Sequence, residues 1–361
     1  MEAVRVGVVM GGNSSEREIS LRSGAAVASG LEILGHDVVR IDLGGGADAL
    51  DALIDADIDV AFLALHGKQG EDGCVQGVLE MLGVPYTGSG VLASALSMDK
   101  LKTKELLRLH NIPTAPYYTV GRRDADSLAD VHGSFGFPVV VKPRREGSSV
   151  GVAKANDLAE LTVAVESALL FDESVLVERF IQGAEVAVAI LDGRVLGAIE
   201  IEPKGELYDY EAKYVSGETQ YHMPCRIEAT RLKGILQLAE RTAQALESRG
   251  AARVDMIVTP GMNEYVLEMN TLPGMTETSL LPKVAEAAGY DFPALCQAIL
   301  ETARLDSGLG MQIMHESARI QAEPSVWEEA AVAEAAFEAA YGYSLVPAFI
   351  KSTPSSARKS A

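Results

Sequence analysis

The sequence predicts an α/β fold class, turning to α+β in its C-terminal half. Three observations carry that expectation. Apolar runs such as Val4–Met10 and Val60–Leu65 alternate with helix-like segments in the first hundred residues, the signature of a parallel sheet with ligands at the C-terminal ends of its strands. After Phe137 the apolar runs follow one another closely, with few helical stretches between them. The length of 361 residues exceeds what one simple core encloses, and a 48% apolar content marks a folded chain, so two or three domains are expected.

Each element follows from its own residues. "GGNSSEREISLRSGAAVASGLEIL" reads as a turn entering a helix, and "VQGVLEMLG" as a short helix after His66-Gly67. These segments form an N-terminal α/β domain over residues 1–97. "SMDKLKTKELLRLHNIP" opens a new unit as one helix that stops at Ile112-Pro113. "FPVVVKP", "VLVERFI" and "AEVAVAIL" then read as strands of a small β-rich central domain, residues 98–189. "GRVLGAIEIEP", a helix "TRLKGILQLAERTAQALESRG" stopped by Arg249-Gly250, and the strands "ARVDMIVT" and "EYVLEMN" make a third, α+β domain, residues 190–305. Residues 306–361 form an extension. In it "SVWEEAAVAEAAFEAAYG" has Ser325 and Glu328 at capping-box spacing before an alanine-rich helix, and "STPSSARKSA" is too polar to pack.

The net charge of −20 repels phosphate backbones and anionic lipids, which argues against nucleic-acid and membrane partners. A small phosphorylated ligand would need a local cluster of cations. The three cysteines, Cys74, Cys225 and Cys296, are far apart and show no metal or disulfide spacing, which suits a reducing cytoplasm. The N-terminus reads as a strand followed by glycines rather than as a secretory leader.

The chemistry concentrates in four stretches. "VVVKPRREGSSVGV" runs a strand into charges and then a small-residue loop. Small residues let backbone N–H groups approach phosphate oxygens, and Lys142 leaves the strand end as a fixed cation. The spacing is not G-x-x-x-x-G-K-[ST], which excludes the P-loop. A plain surface hairpin is the other reading, and this segment alone leaves both open. In "EYVLEMN", Glu268 and Asn270 sit two apart on a strand and face one side, and Asp255 in "RVDMIV" adds a third oxygen. Three hard donors suit Mg²⁺ bound together with phosphates. The competing reading is a solvated strand face, but a carboxylate in so apolar a run needs a partner. "NTLPGMTETSL" places a Pro-Gly turn and hydroxyls beside those donors, where an oxyanion or carboxylate can bind; alone it is merely a turn. "LYDYEAKYVSGETQY", with Lys213, reads as a lid or as a mobile surface loop.

Taken in order, seven blocks resemble the D-alanine–D-alanine ligase family of the ATP-grasp superfamily. They are "GGNSSEREISLRSG", "ALHGKQGEDGCVQGVLEMLGVPYTGSG", "SALSMDKLKTK", "VKPRREGSSVGV", "YDYEAKY", "ARVDM" and "LEMNTLPGMTETSL", spread over residues 3–304. The resemblance implies a three-domain ATP-grasp fold. It also implies a cytoplasmic enzyme, usually a homodimer, that joins two D-alanines through an acyl phosphate for peptidoglycan synthesis. ATP is the implied nucleotide, and two Mg²⁺ ions, or Mn²⁺, the implied metals. By resemblance, Lys100, Lys142, Ser148, Ser149 and the lid lysine Lys213 serve the phosphates, and Glu178 and Glu185 lie near adenine and ribose. Asp255, Glu268 and Asn270 hold the metal. Glu16 takes the first substrate's ammonium, with His66 nearby. Ser148 and Tyr214 link loop, lid and Glu16. Arg253 and the Gly274 N–H stabilise the oxyanion, and Ser279 and Leu280 take the second substrate's carboxylate. Tyr214 implies an amine rather than a hydroxy acid as nucleophile.

Two positions depart from the family pattern. Met269 replaces a smaller residue between two metal donors and is expected to face away from them. Glu277 leaves the preference for the second amino acid open. Two other functions compete: an ATP-grasp ligase with a different amino-acid substrate, and a nucleotide-binding sensor without turnover. The sensor requires a broken metal set or lid, yet Asp255, Glu268, Asn270, Lys213 and Tyr214 are all present.

Overall fold

The computed structural model describes residues 4–44, 47–205, 208, 218–261 and 263–306. Contacts group Met1–Gly308 into one unit and Leu309–Ala361 into another. The second unit, with the expected terminal helix, lies outside the described residues.

The first sheet is parallel, in the order β2-β1-β3: β1 is Arg5–Gly11, β2 Asp37–Leu43 and β3 Val60–Leu63. β1 is buried at every position after Arg5, as expected of a strand covered on both faces. Around the sheet run α1 (Arg17–Ile33), α2 (Ala47–Ile54) and α3 (Cys74–Leu82). α1 approaches β1 so closely that a Cβ on Gly24 would lie 2.5 Å from Met10 Cβ. The ladder ends at Val9↔Leu63, two residues before the expected strand end at Leu65, and the buried chain continues into the turn at His66.

The helix expected over Ser97–Ile112 begins three residues later, after a separate helix whose last two residues are Ser97 and Met98. α4 is Val91–Met98 and α5 is Lys100–Leu109. They part at Asp99, which adopts an extended backbone (ψ 94°). Asp99 caps α5 by accepting from the Lys102 N–H at 3.1 Å. The same carboxylate holds the Arg144 guanidinium, with Nε at 2.7 Å and Nη2 at 2.6 Å. The break is thus tied to the charged loop that follows the third apolar run.

That run lies in a four-stranded antiparallel sheet in the order β4-β7-β5-β6. Its strands are β4 (Tyr117–Gly121), β5 (Val139–Pro143), β6 (Ala153–Ala155) and β7 (Ser174–Arg179). Two helices accompany it, α6 (Leu128–His132) and α7 (Leu158–Ala168). The sequence reading passes over α7, though its pattern is helical: Leu161, Ala164, Val165 and Ala168 are buried against Val139, Val141 and Val177.

The third sheet is antiparallel, in the order β10-β9-β8-β11-β12. β8 is Ala184–Leu191, β9 Arg194–Glu202, β10 Gln220–His222, β11 Ala251–Val258 and β12 Glu264–Asn270. β8, placed with the central unit in the sequence reading, pairs instead with β9 and β11. The core beneath this sheet joins Val186, Val188, Val254 and Met256 to Ile235 and Leu238 of the helix Ala229–Ala245. That helix stops before the expected Arg249-Gly250. Glu247 turns left-handed (φ 54°), and the Ser248 N–H donates to the Ala243 carbonyl at 2.9 Å, a helix-ending arrangement that needs no glycine here. The helices Leu280–Ala287 and Phe292–Leu300 complete the described chain.

Asp99 gives this architecture a measurable hinge point. Replacing it by Ala removes a cap and a half-buried charge pair, and urea unfolding is expected to show a loss of about 2 kcal/mol. Burial pushes the Asp99 carboxyl up, but Arg144 and the Lys102 N–H outweigh it, so its pKa is lowered in the folded state. Its contribution is therefore complete above the ordinary Asp value of about 4 and fades as pH falls through the lower folded value. The stability gap between wild type and Asp99→Ala is expected to be constant near neutrality and to shrink in acid. A gap that widens in acid would contradict the ion pair.

Candidate active site

β11 and β12 lay out the centre of the site. Their register pairs Asp255 with Glu268 and Arg253 with Asn270, so all four side chains project from one face. Met269 points the other way, 3% exposed, into the core below the sheet. Between Asp255 and Met256 the register slips by one residue, leaving Leu267 without an opposite number. Arg253 grips Asp255 through two hydrogen bonds, Nε–Oδ1 and Nη2–Oδ2, both 2.7 Å.

The loop after β5 supplies a second wall. The Val150 N–H donates to the Gly147 carbonyl at 3.0 Å, with Ser148 (φ 43°) and Ser149 (φ 58°) both left-handed between them. This is the geometry of a type I′ turn built without glycine at its centre, a costly choice for serine. The side chains explain it. The Ser148 hydroxyl donates to the Glu16 carboxylate, and the Ser149 hydroxyl donates to the Tyr208 carbonyl at 3.2 Å. A Cβ on Gly147 would press on the Glu16 carboxylate that Ser148 holds.

The cations converge from two elements. Lys100, the first residue of α5, donates to the Glu146 carbonyl and lies 3.8 Å from Glu268. Lys142, on β5, lies 3.0 Å from Glu178 Oε2. Burial lowers the Lys142 pKa, but the neighbouring Glu178 and Glu268 outweigh it, so the ammonium is held in its charged form.

Glu16 sits just before α1, 6% exposed. Opposite it, burial lowers the His66 pKa to about 4; a hydrogen bond that the ring donates to the Leu272 backbone carbonyl opposes this, and the Arg253 charge adds to the lowering. The imidazole is thus neutral near pH 7, and its Nε2 lies 3.3 Å from the Ser23 hydroxyl. Ser23 in turn accepts from the Met275 N–H at 3.2 Å, which fixes the segment carrying Gly274. Ser279 precedes the helix Leu280–Ala287, and its hydroxyl accepts from the Thr276 N–H at 3.0 Å. A Cβ on Gly274 would lie 2.7 Å from that hydroxyl. The first N–H groups of the helix are therefore presented beside Gly274.

These walls enclose two adjoining cavities. Glu16, His66, Ser148, Arg253 and Asn270 line the smaller one, together with Gly274, Ser279 and Leu280. Lys142, Ser149, Glu178, Glu185 and Asp255 line the larger one, about 320 Å³, a size suited to a small-molecule ligand. Lys100, Glu146, Tyr208 and Glu268 line both. Every site residue expected from the sequence and lying within the described residues borders one cavity or both. Lys213 and Tyr214 lie outside the described residues.

Among the bordering residues that the sequence reading gives no role, three stand out. Glu146 and Tyr208 stand inside quoted blocks but carry no motif of their own; only the fold shows that they form the shared wall. Glu71 follows the turn at His66 and accepts from the Gly67 N–H at 2.7 Å. Burial pushes its carboxyl well above the usual range and Glu16 adds to the shift, while the Gly67 N–H and Arg253 oppose it.

As a metal site, the donors are two carboxylates and one amide. Among the described residues no three His, Cys, Asp or Glu side chains group to hold an ion. Asp255 and Glu268 face each other across the strands, and the Asn270 amide oxygen is ordered by the Leu272 N–H at 3.0 Å. One or two carboxylates, with the remaining positions left to water and phosphate oxygens, fit Mg²⁺. No described helix is long and apolar enough to cross a membrane.

Comparisons with known proteins agree with this geometry. The family descriptions "D-ala D-ala ligase N-terminus" and "D-ala D-ala ligase C-terminus" match residues 48–89 and 106–301. The D-alanine–D-alanine ligase of Anaeromyxobacter sp. (strain K) is 48% identical over 301 residues, which are 83% of this chain and 97% of that protein. The crystal structure of the D-alanine–D-alanine ligase from Bacillus anthracis superposes with a TM-score of 0.74 at 40% identity, covering 83% of this chain and 97% of that one. The ATP complex from the same organism gives a TM-score of 0.72 at 37% identity, with the same coverage. With one domain description spanning more than half its residues and near-half identity across most of its length, the chain belongs to the D-alanine–D-alanine ligase family.

Proposed function

We propose that the chain joins two D-alanines into D-alanyl-D-alanine, a peptidoglycan precursor, while ATP becomes ADP and phosphate. The observation that carries this reading is the shared wall. A polar cavity of amino-acid character opens directly onto a larger one edged with lysines, and Lys100, Glu146, Tyr208 and Glu268 belong to both.

The chemistry runs in two steps. A carboxylate oxygen of the first D-alanine attacks the γ-phosphorus of ATP, and the bond to ADP breaks. The amine of the second D-alanine, having lost a proton, attacks the resulting acyl carbon, and phosphate leaves. Glu16 takes the first ammonium, and Ser148 holds Glu16 in place. Lys100, Lys142 and the turn at Ser148-Ser149 receive the phosphates, while Glu178 and Glu185 meet adenine and ribose. Arg253 and the Gly274 N–H stabilise the oxyanion of the tetrahedral intermediate. Ser279 and Leu280, at a helix N-terminus, take the second carboxylate. Asp255, Glu268 and Asn270 would hold Mg²⁺ (or Mn²⁺), which neutralises phosphoryl charge when bound. Lys213 and Tyr214 complete the lid in this reading. A homodimer and a cytoplasmic location belong to the same proposal, and so does a three-domain division, with its second boundary moved from residue 189 to before β8, which pairs within the third sheet.

The direct test is phosphate release with ATP, Mg²⁺ and a panel of D- and L-amino acids, with product mass. D-alanine is expected to give the highest rate and a dipeptide. Stimulation confined to other amino acids would move the chain to a different carboxylate–amine ligation. Glu268→Gln is expected to lower kcat by about 10²-fold or more with an unchanged melting temperature; a normal rate would remove the metal assignment. Tyr214→Phe is expected to raise the use of D-lactate relative to D-alanine as second substrate, and unchanged selectivity in competition would remove the lid role.

A further inference from the structure

α5 carries a second lysine that the chemistry above leaves unused. Lys104 follows Lys100 by one turn, so both leave the same face of the helix. Its side chain is 1% exposed. The ammonium lies 3.2 Å from Glu178 Oε1 and donates to the Thr114 hydroxyl at 2.6 Å. Thr114 passes the interaction on, donating to the Val266 carbonyl at 2.9 Å. The Tyr117 ring centre is 5.4 Å away. A buried ammonium is destabilising unless it is paired, so this position requires an anion, and Glu178 is that anion.

Glu178 therefore has two cations. Lys104 approaches Oε1 and Lys142 approaches Oε2. Burial would push its carboxyl up, but the two lysines outweigh burial and hold it ionised. The two cations are not equivalent. Lys142 borders the larger cavity, whereas Lys104 borders neither. Oε1 also lacks a well-aligned hydrogen bond, so Lys104 acts on it mainly as a charge.

We propose that Lys104 is the standing counter-ion of Glu178: a positioning residue that keeps this carboxylate neutralised and fixed while Lys142 turns to the nucleotide's phosphates. The inference rests on the reading that Lys142 meets those phosphates. Without Lys104, phosphate binding would draw away the remaining lysine and leave a carboxylate buried beside no cation. Lys142 would then be held back by Glu178, and nucleotide affinity would fall although Lys104 never touches the ligand. α5 thus divides its work: Lys100 at its tip faces the shared wall, and Lys104 one turn deeper sustains the cavity's charge balance.

The test compares wild type, Lys104→Met, Glu178→Gln and the double variant. Initial rates are measured with ATP and D-alanine varied separately, and Mg–ADP binding is measured by calorimetry. Lys104→Met is expected to raise the KM for ATP and the Kd for ADP by about tenfold or more, with the KM for D-alanine within about twofold. In the Glu178→Gln background the same substitution is expected to change nucleotide binding by less than about twofold, since no carboxylate charge remains to be balanced. A purely structural lysine would lower the melting temperature without this selective change or this dependence on Glu178. Unchanged nucleotide affinity in Lys104→Met, or an equal loss in both backgrounds, overturns the proposal. If Lys104→Met is too unstable to assay, the comparison of Glu178→Gln with the double variant decides alone: a further loss of ADP binding overturns it, and equal binding supports it. Wild type that binds ADP but releases no phosphate with D-alanine would overturn the proposed reaction, and the ADP measurements would still judge Lys104.

Discussion

Two carboxylates facing each other across neighbouring strands are the constraint around which this molecule is built. Asp255 and Glu268 occupy paired positions on β11 and β12, an arrangement that repels itself unless positive charge is brought to it. The chain brings that charge from three directions. Arg253 comes from the same strand, Lys100 from the start of α5, and Lys142 from a different sheet, raised in pKa partly by Glu268 itself. Sheets and helices that share no local sequence signal are thereby obliged to meet at one place. An overall charge of −20 sharpens the demand, because the net field of so acidic a chain repels a phosphorylated ligand unless cations are gathered locally.

The loop after β5 turns that meeting into a single mechanical element. It sends the Ser148 hydroxyl to Glu16 beside α1, the Ser149 hydroxyl to the Tyr208 carbonyl, and the Glu146 carbonyl to Lys100. Glu146 also pairs with Lys68. Two serines in left-handed backbone are the strain that lets one short turn reach in opposite directions. Displacing this loop would disturb both cavities at once.

Much of this was legible in the residues, for reasons specific to each. Glu268 and Asn270 announce themselves because two polar residues interrupt an apolar strand at the period of one face, and that face is where they lie. The parallel first sheet follows from its alternation of apolar runs and helices. Other features depend on distance in the chain and left no local trace. The break at Asp99 requires Arg144, forty-five residues on, to make a capping residue end one helix and start the next. β8 reads as a strand but not as a partner of β11, because pairing is decided by the whole sheet. Lys104 looks like any lysine on a polar helix; only its spacing from Lys100 hints that it turns inward, and only burial beside Glu178 shows it. α7 was hidden by short, alanine-rich turns whose apolar stripe is modest.

The grip of Arg253 on Asp255 also sets the terms on which anything else can reach that carboxylate. With its own guanidinium seated on the carboxylate, the chain completes this part of its interior using only what it encodes. Anything else that approaches Asp255 must therefore compete with a cation already seated in two-pronged geometry, so any exchange at this carboxylate trades one positive partner for another instead of neutralising a bare charge.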